Sequence, residues 1–194
     1  IITVGDFEGT IDVDPGPSVQ LITSTTGGTN STDIYITSIS QNGDLLWHKT
    51  IGNIAGDWID DVVSDNLGNI YLLGRFREGA SIDFDPGPGV FNVSTLTPVA
   101  TFILKLSSSG DFIWVKIIES PPSFFPFAGG VEVFGKSIML DMNNDIIVGG
   151  VFYGNIDFDP GPSGFLLTSS NYTSSVSYNM SDAFILKLSS DGGF

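Results

Sequence analysis

Cysteine is absent from this chain of 194 residues, which excludes disulfides, thiolate metal sites and cysteine nucleophiles. Basic residues are scarce, 7 against 22 acidic ones, for a net charge of −15. Such a surface repels a nucleic-acid backbone and an anionic membrane, so no nucleic-acid partner is expected and cations or neutral ligands remain. Only one histidine, His48, is present, and it stands at the end of a strand-like run without the company that a hydrolytic or metal site needs. Long apolar runs are missing as well. None approaches the roughly 18 residues of a membrane span. No stretch carries helical periodicity, a glycine-rich phosphate loop or zinc-ligand spacing. Asp60 and Asp61 are adjacent, so in a strand they face opposite sides and form no catalytic carboxylate pair without a bulge. These gaps together predict a chain without catalysis.

What is present is repetition. The hexapeptide Asp-x-Asp-Pro-Gly-Pro occurs at Asp12 to Pro17, Asp83 to Pro88 and Asp157 to Pro162, spaced by 71 and 74 residues. That period exceeds those usual for solenoids. Gly5, Gly74 and Gly150 each close an apolar run and stand two residues before Phe7, Phe76 and Phe152. Gly43, Gly110 and Gly192 recur after strand-like runs, and Asp65 and Asp141 stand nine residues ahead of their closing glycines. Several landmarks in fixed order define units of about 1–76, 77–152 and an incomplete 153–194 within one domain. The first residue is Ile1, inside a repeat, and Phe194 interrupts another just before an expected tryptophan. The chain therefore reads as a segment of a longer protein. Its 41% hydrophobic content marks it as folded.

Strand signals dominate. Asp33 to Ile39, Thr101 to Leu106 and Asp182 to Leu188 alternate or run apolar between Ser, Asn and Gly. Turns at 41–44 and 108–111 lead into strands ending at Trp47 and Trp114, which makes a hairpin in each unit. A second hairpin runs from Asp60 to Gly74 through Asn66–Asn69, and again from Lys136 to Gly150 through Asn143–Asp145. Two hairpins give four antiparallel strands, the pattern of a β-propeller blade. The fold expected is therefore all-β: a partial propeller of about two and a half repeats. Its blades would cover Asp33 to Phe76 and Thr101 to Phe152, with a third beginning near Asp182. The tryptophans and Phe7, Phe76 and Phe152 are expected to pack within or between blades. The hexapeptide and the stretches Thr23 to Thr32 and Ser169 to Ser181 would connect blades as turns or an additional outer hairpin.

The hexapeptide is the chemical feature of the chain. In extended backbone alternate side chains share a face, so Asp12 and Asp14, Asp83 and Asp85, and Asp157 and Asp159 form three carboxylate pairs, with Val13, Phe84 and Phe158 pointing the other way. Pro-Gly-Pro would then make a type II turn with glycine at positive φ. Clustered hard oxygens suit calcium, and these six aspartates are the candidate metal ligands. A rigid corner, with the carboxylates accepting hydrogen bonds from turn amides, is the alternative. No downstream glutamate completes a local ligand shell as in an EF-hand. Four Asn-x-Ser/Thr sequons, at Asn30, Asn92, Asn171 and Asn179, suit an exposed surface.

Three stretches carry a family resemblance: Phe102 to Trp114, Asp65 to Gly74, and Asp-Phe-Asp-Pro-Gly at 83–87. Together they resemble the SBBP-type β-propeller repeats of large surface and secreted bacterial proteins, in a subtype carrying that pentapeptide. The likeness spans nearly the whole chain. It implies export by a type IX-like system, an extracellular or cell-surface location, and a role as adhesin or structural scaffold. The implied partners are the remaining blades or subunits of the parent assembly, and glycans or surface proteins. Two positions depart from the pattern. An apolar run, Pro121 to Phe127, replaces the polar connection after Trp114, and Ser38 stands where the other units have Lys105 and Lys187. The alternative is part of a propeller-type carbohydrate-active or quinoprotein-like enzyme whose active site lies on other blades. Gly-Asp-x-x-Trp resembles a quinoprotein docking hairpin, but the quinone-binding residues have no match.

Overall fold

The computed structural model describes residues 1–25, 31–78, 81–121, 131–170 and 181–194. All regular structure among them is β. Sixteen strands form three antiparallel meanders, each interrupted by a small two-stranded hairpin. In the first, β1 (Ile2–Phe7) pairs with β4 (Asp33–Ile39), which pairs with β5 (Leu45–Ile51). The second runs β6 (Asp57–Ser64), β7 (Ile70–Arg77), β10 (Val99–Leu106) and β11 (Phe112–Ile118). The third runs β12 (Glu132–Leu140), β13 (Ile146–Tyr153) and β16 (Asp182–Leu188). A single parallel bridge, Val99 to Glu132, joins the second to the third.

The four expected hairpins form where the turn residues placed them, but they combine differently. The β4–β5 hairpin pairs with β1, and β6–β7 pairs with β10–β11. The sheet that contains Phe76 therefore runs from Asp57 to Ile118 rather than from Asp33 to Phe76. The hexapeptides change place accordingly. They lie at the tips of the inserted hairpins β2–β3 (Thr10–Asp12 with Leu21–Thr23), β8–β9 (Ile82–Asp83 with Asn92–Val93) and β14–β15 (Asn155–Asp157 with Leu166–Thr168). Each insert thus links two hydrogen-bonded strands of one sheet and does not connect successive sheets.

Alternation along the strands explains the packing. On β7, Ile70, Leu72 and Phe76 face a core shared with Ile34, Ile36 and Ile51 of the first meander. Tyr71 and Leu73 face a second core shared with Val133, Val148 and Leu186 of the third. Strand β10 divides in the same way, with Phe102, Leu104 and Leu106 on one side and Ile103 on the other. The second meander is buried on both faces, which is why its central strands read as continuous apolar runs. Each fully buried Leu, Ile or Phe contributes about 1.5–3 kcal/mol.

The recurring glycines have a steric cause. Gly5, Gly74 and Gly150 stand directly across from Tyr35, Phe102 and Phe184, whose rings occupy the space a Cβ would need. Phe76 and Phe152 follow two residues later and, with Phe7, are buried. Trp47 packs in the first core, with its ring edge against the Gly110 turn of the next sheet. Trp114 packs in the second core, edge-on to Tyr71 at 6.3 Å. The tryptophans therefore lie between adjacent sheets as their recurrence suggested. Of the apolar run 121–127 only Pro121 is described, and Asn30, Asn171 and Asn179 lie outside the described residues. Asn92 is exposed on β9.

Candidate functional site

The three hexapeptide corners have one geometry. The apolar residue between the two aspartates closes the hairpin through its backbone: Val13 N donates to Gln20 O, Phe84 N to Phe91 O and Phe158 N to Phe165 O, at 2.9–3.0 Å. The first aspartate gathers two amides on one oxygen. Asp12 Oδ1 accepts from Asp14 N and Gln20 N, Asp83 Oδ1 from Asp85 N and Phe91 N, and Asp157 Oδ1 from Asp159 N and Phe165 N, between 2.6 and 3.1 Å. The second aspartate accepts from the glycine amide. Asp14 reaches Gly16 N, Asp85 reaches Gly87 N and Asp159 reaches Gly161 N at 2.7–2.8 Å. These are side-chain turns of the kind Asp favours.

The type II turn expected at Pro-Gly is not formed, because none of Gly16, Gly87 and Gly161 is among the glycines at positive φ. The aspartate side chain takes over the closing role. A Cβ at these glycines would approach the aspartate oxygen to 2.9–3.0 Å, so the carboxylate would have to shift to admit one. The opposite face behaves as alternation requires in the last two copies. Phe84 packs with Phe76 and Phe102 at centroid separations of 5.6 and 4.9 Å, and Phe158 with Phe152 and Phe184 at 5.2 and 4.8 Å. In the first copy Val13 stands in that position, beside a cleft of about 230 Å³ bordered by Tyr35.

As a metal site, each corner carries two carboxylates, each with Oδ1 engaged by turn amides and, among the described residues, no hydrogen bond to Oδ2. Among the described residues no group of three or more His, Cys, Asp or Glu is placed to hold a metal ion. Calcium takes six to eight oxygens, so an ion here would rely on the Oδ2 atoms, backbone carbonyls and water.

The residues set aside as chemistry have structural partners. A bulge does fall between Ile59 and Asp61, but Asp60 and Asp61 are each taken up by partners of their own. Asp60 meets Arg75 Nε at 2.7 Å, while Asp61 Oδ2 accepts from Ser137 Oγ and Ile138 N of the third meander. Asp65 and Asp141 each accept two amides of the turn they open. Lys187 bridges Asp141 and Asp145 at 2.8 and 3.0 Å. The Lys187 hydrogen bond holds the Asp141 carboxyl below its usual range. Lys105, its counterpart, donates to Ser190 O.

One buried polar group escapes a sequence reading. Asp33, Asn53 and Asp57 are nearly inaccessible. Asp33 Oδ2 accepts from Thr25 N and Thr25 Oγ1, an arrangement repeated by Asp182 with Ser170. Asp57 Oδ2 accepts from Asn53 N at 2.8 Å. Among the described residues Asp33 Oδ1, Asp57 Oδ1 and Asn53 Nδ2 find no partner. Desolvation raises the Asp57 carboxyl to about 7, the Asn53 amide opposes the shift, and the Asp33 charge adds to it. The recurrence of Asp33 as Asp182 was visible in the sequence, but nothing there placed Asp57 beside it.

The class defined by these elements is an all-β repeat protein of stacked antiparallel sheets with hairpin inserts. No family model matches the chain. Over 126 residues it is 30% identical to an uncharacterized WD repeat-containing protein of Acanthamoeba polyphaga mimivirus, an alignment that covers 59% of this chain. The chain spans only 8% of that protein's length. WD repeats are a β-propeller type, so this similarity agrees with the repeat character of the sheets.

Proposed function

We propose that the chain is a stretch of a β-propeller of four-stranded blades, in a subtype akin to SBBP repeats. In this reading it serves a larger extracellular or cell-surface protein as a non-catalytic binding or adhesion scaffold. The observation that carries the reading is the second meander, four antiparallel strands with apolar packing on both faces. A sheet covered on both sides by its own kind extends by adding blades. The tandem aromatic–glycine pairs, the tryptophans lodged between sheets and the WD-repeat similarity support it. In this assembly the hexapeptide hairpins act as rigid ledges, and partners would be neighbouring blades, glycans or surface proteins.

Images of the full-length protein by electron microscopy should show closed rings, and a glycan array with a parallel hydrolysis assay should give binding without turnover. Open, extended arrays, or turnover of any glycan, would sink the reading. Calcium at the hexapeptides stays as a second reading because each corner leaves two Oδ2 atoms uncommitted. Melting the protein with calcium and with chelator separates the two: stabilisation lost on chelation favours the ion, and superimposable curves favour the self-closed corner.

A further inference from the structure

Arg75 and Arg77 are the only arginines of the chain, and both stand on β7, two residues apart, so they share a face of the sheet. Trp58 lies directly across from Arg75 on β6. Both guanidinium groups lie over its ring, Arg75 at 5.7 Å from the centroid and Arg77 at 5.0 Å. Arg75 also lies over Phe134 of the third meander, at 5.4 Å, and the Lys136 ammonium lies over that same ring at 5.4 Å. Cations and rings therefore alternate, in the order Arg77, Trp58, Arg75, Phe134, Lys136. Three of the 7 basic residues of a chain with net charge −15 are gathered in this one patch.

Most of their donors are unspent. Asp60 accepts from Arg75 Nε at 2.7 Å and stands 3.8 Å from Lys136 Nζ. Asp6, the other carboxylate nearby, accepts from the Ile59 amide at 2.7 Å. Among the described residues neither the Nη atoms of Arg75 nor any side-chain donor of Arg77 finds an acceptor, and Glu78 and Glu132, the acids next along their strands, pair with neither arginine. Arg77 is exposed, and so is 54% of the Lys136 side chain, which leaves the patch open to solvent. Stacking holds a guanidinium flat on a ring and leaves its N–H edge free, so the fork is fixed before a ligand arrives. Counted from the closing glycines Gly5, Gly74 and Gly150, Arg75 corresponds to Asp6 and Val151, and Arg77 to Glu8 and Tyr153. The glycine and the aromatic two residues on recur in every repeat. The arginine pair does not, so it is no part of the repeat's framework.

We propose that this patch binds a carboxylate carried on a neutral body, in the form of a uronic-acid residue of a glycan. The Arg77 fork takes the carboxylate in the paired geometry that guanidinium and carboxylate share. Arg75 and Lys136 add positive field, and the half-buried rings of Trp58, Phe134 and Tyr153 give the sugar an apolar border. A single charge is what the surroundings allow, because the remaining surface is acidic and repels a polyanion. Nucleic acid and heavily sulfated chains are thereby set aside. The sugar assignment rests on the proposed glycan-binding role, whereas the site itself rests on the arginines and does not depend on ring closure.

The test is titration calorimetry of the full-length protein with methyl glucuronide, against methyl glucoside as the neutral analogue and acetate as the carboxylate without a ring. Methyl glucuronide should bind more tightly than acetate, methyl glucoside should not bind, and added salt should weaken the interaction. Affinity should fall about tenfold or more in Arg77→Gln and recover only in part in Arg77→Lys, which restores the charge without the fork. It should be unchanged in Lys49→Gln, whose side chain lies over the Gly110 turn. Lys136→Gln, expected to lose severalfold, repeats the measurement should Arg77→Gln unfold. No heat with methyl glucuronide, equal affinity for methyl glucoside or acetate, or full affinity in Arg77→Gln with an unchanged melting curve would overturn the assignment. Glycan binding that survives the patch variants removes this site and leaves the scaffold reading standing, whereas glycan turnover or open arrays count against that reading and leave the Arg77 dependence as it is.

Discussion

Asp57 has no exposed surface. Its carboxyl is raised from 3.8 to about 7 by burial, with the Asn53 amide opposing and Asp33 adding to the shift. Between those two values the folded chain holds a proton that the unfolded chain has released. Stability from this group is therefore fully present below pH 3.8 and is lost as the pH rises toward 7. Asp141 has the opposite sign. Its lowered carboxyl favours the fold above its unfolded value, and that contribution disappears as acid is added. Asp57→Asn keeps an acceptor for the Asn53 amide and adds a donor beside the unpartnered Asp33 Oδ1. Urea melts from pH 5 to 8 should show wild-type stability falling with pH and the variant nearly flat, with the variant more stable at pH 8; parallel curves would refute this account. The hexapeptide aspartates allow a similar test. Asp83→Ala removes the acceptor of two amides and should cost about 1–3 kcal/mol, whereas Asp83→Asn keeps it and should lose well under half of that. If Asp83→Asn is as damaging as Asp83→Ala, the charge itself matters, as an ion-holding corner requires.

At the scale of the element, the glycine–aromatic pairs decide how closely neighbouring strands pack. At Gly5 the three nearest atoms to a Cβ all belong to the Tyr35 side chain, at 2.7–2.9 Å, whereas at Gly74 the nearest include the Trp58 carbonyl. Gly5→Ala should therefore cost about 1–3 kcal/mol as overpacking and be largely rescued by Tyr35→Ala, while Gly74→Ala should not be rescued by Phe102→Ala. A double-mutant cycle with no coupling at Gly5 would count against the steric explanation. Much at this level was legible: the four large hairpins, each aromatic step and the inward face of Phe84 and Phe158 follow from period-two patterning and turn residues, whereas the hexapeptide hairpins read in sequence as connectors between blades. The turn at Pro-Gly was misread because dihedral preference alone suggested positive φ, while the aspartate side chain supplies the closing hydrogen bond instead. Val13 marks the copy in which the phenylalanine triad is incomplete. Val13→Phe should extend the Phe7–Tyr35 pair toward the triads of the other copies and raise the melting temperature by a few degrees; a drop would show that the bordering cleft does not accept the ring.

For the whole molecule, the open question in the sequence was which hairpins belong together, and local signals cannot answer it. A hairpin is specified by residues a few positions apart. Sheet membership depends on partners such as Gly74 and Phe102, separated by a hairpin insert. For the same reason the Asp33–Asp57 pair was not legible: it joins a strand of the first meander to a strand of the second. The pairing observed has a consequence that can be measured. Amides of β6, β7, β10 and β11 belong to one hydrogen-bonded meander buried on both faces, so their sub-global opening should occur as one unit. Native-state hydrogen exchange in increasing denaturant should bring the protection of Leu72, Leu73, Ile103 and Leu104 together into a single isotherm. The amides of Ile34 and Ile36, in the first meander, should follow another. Destabilising the second meander with Leu104→Ala, at about 2–5 kcal/mol, should lower the β6 and β11 amides with it and leave the lowest-energy openings of β4 and β5 unshifted. Had the structural unit been Asp33 to Phe76, β4 and β5 would instead move with β6 and β7, and that outcome would return the hexapeptide to its place between sheets.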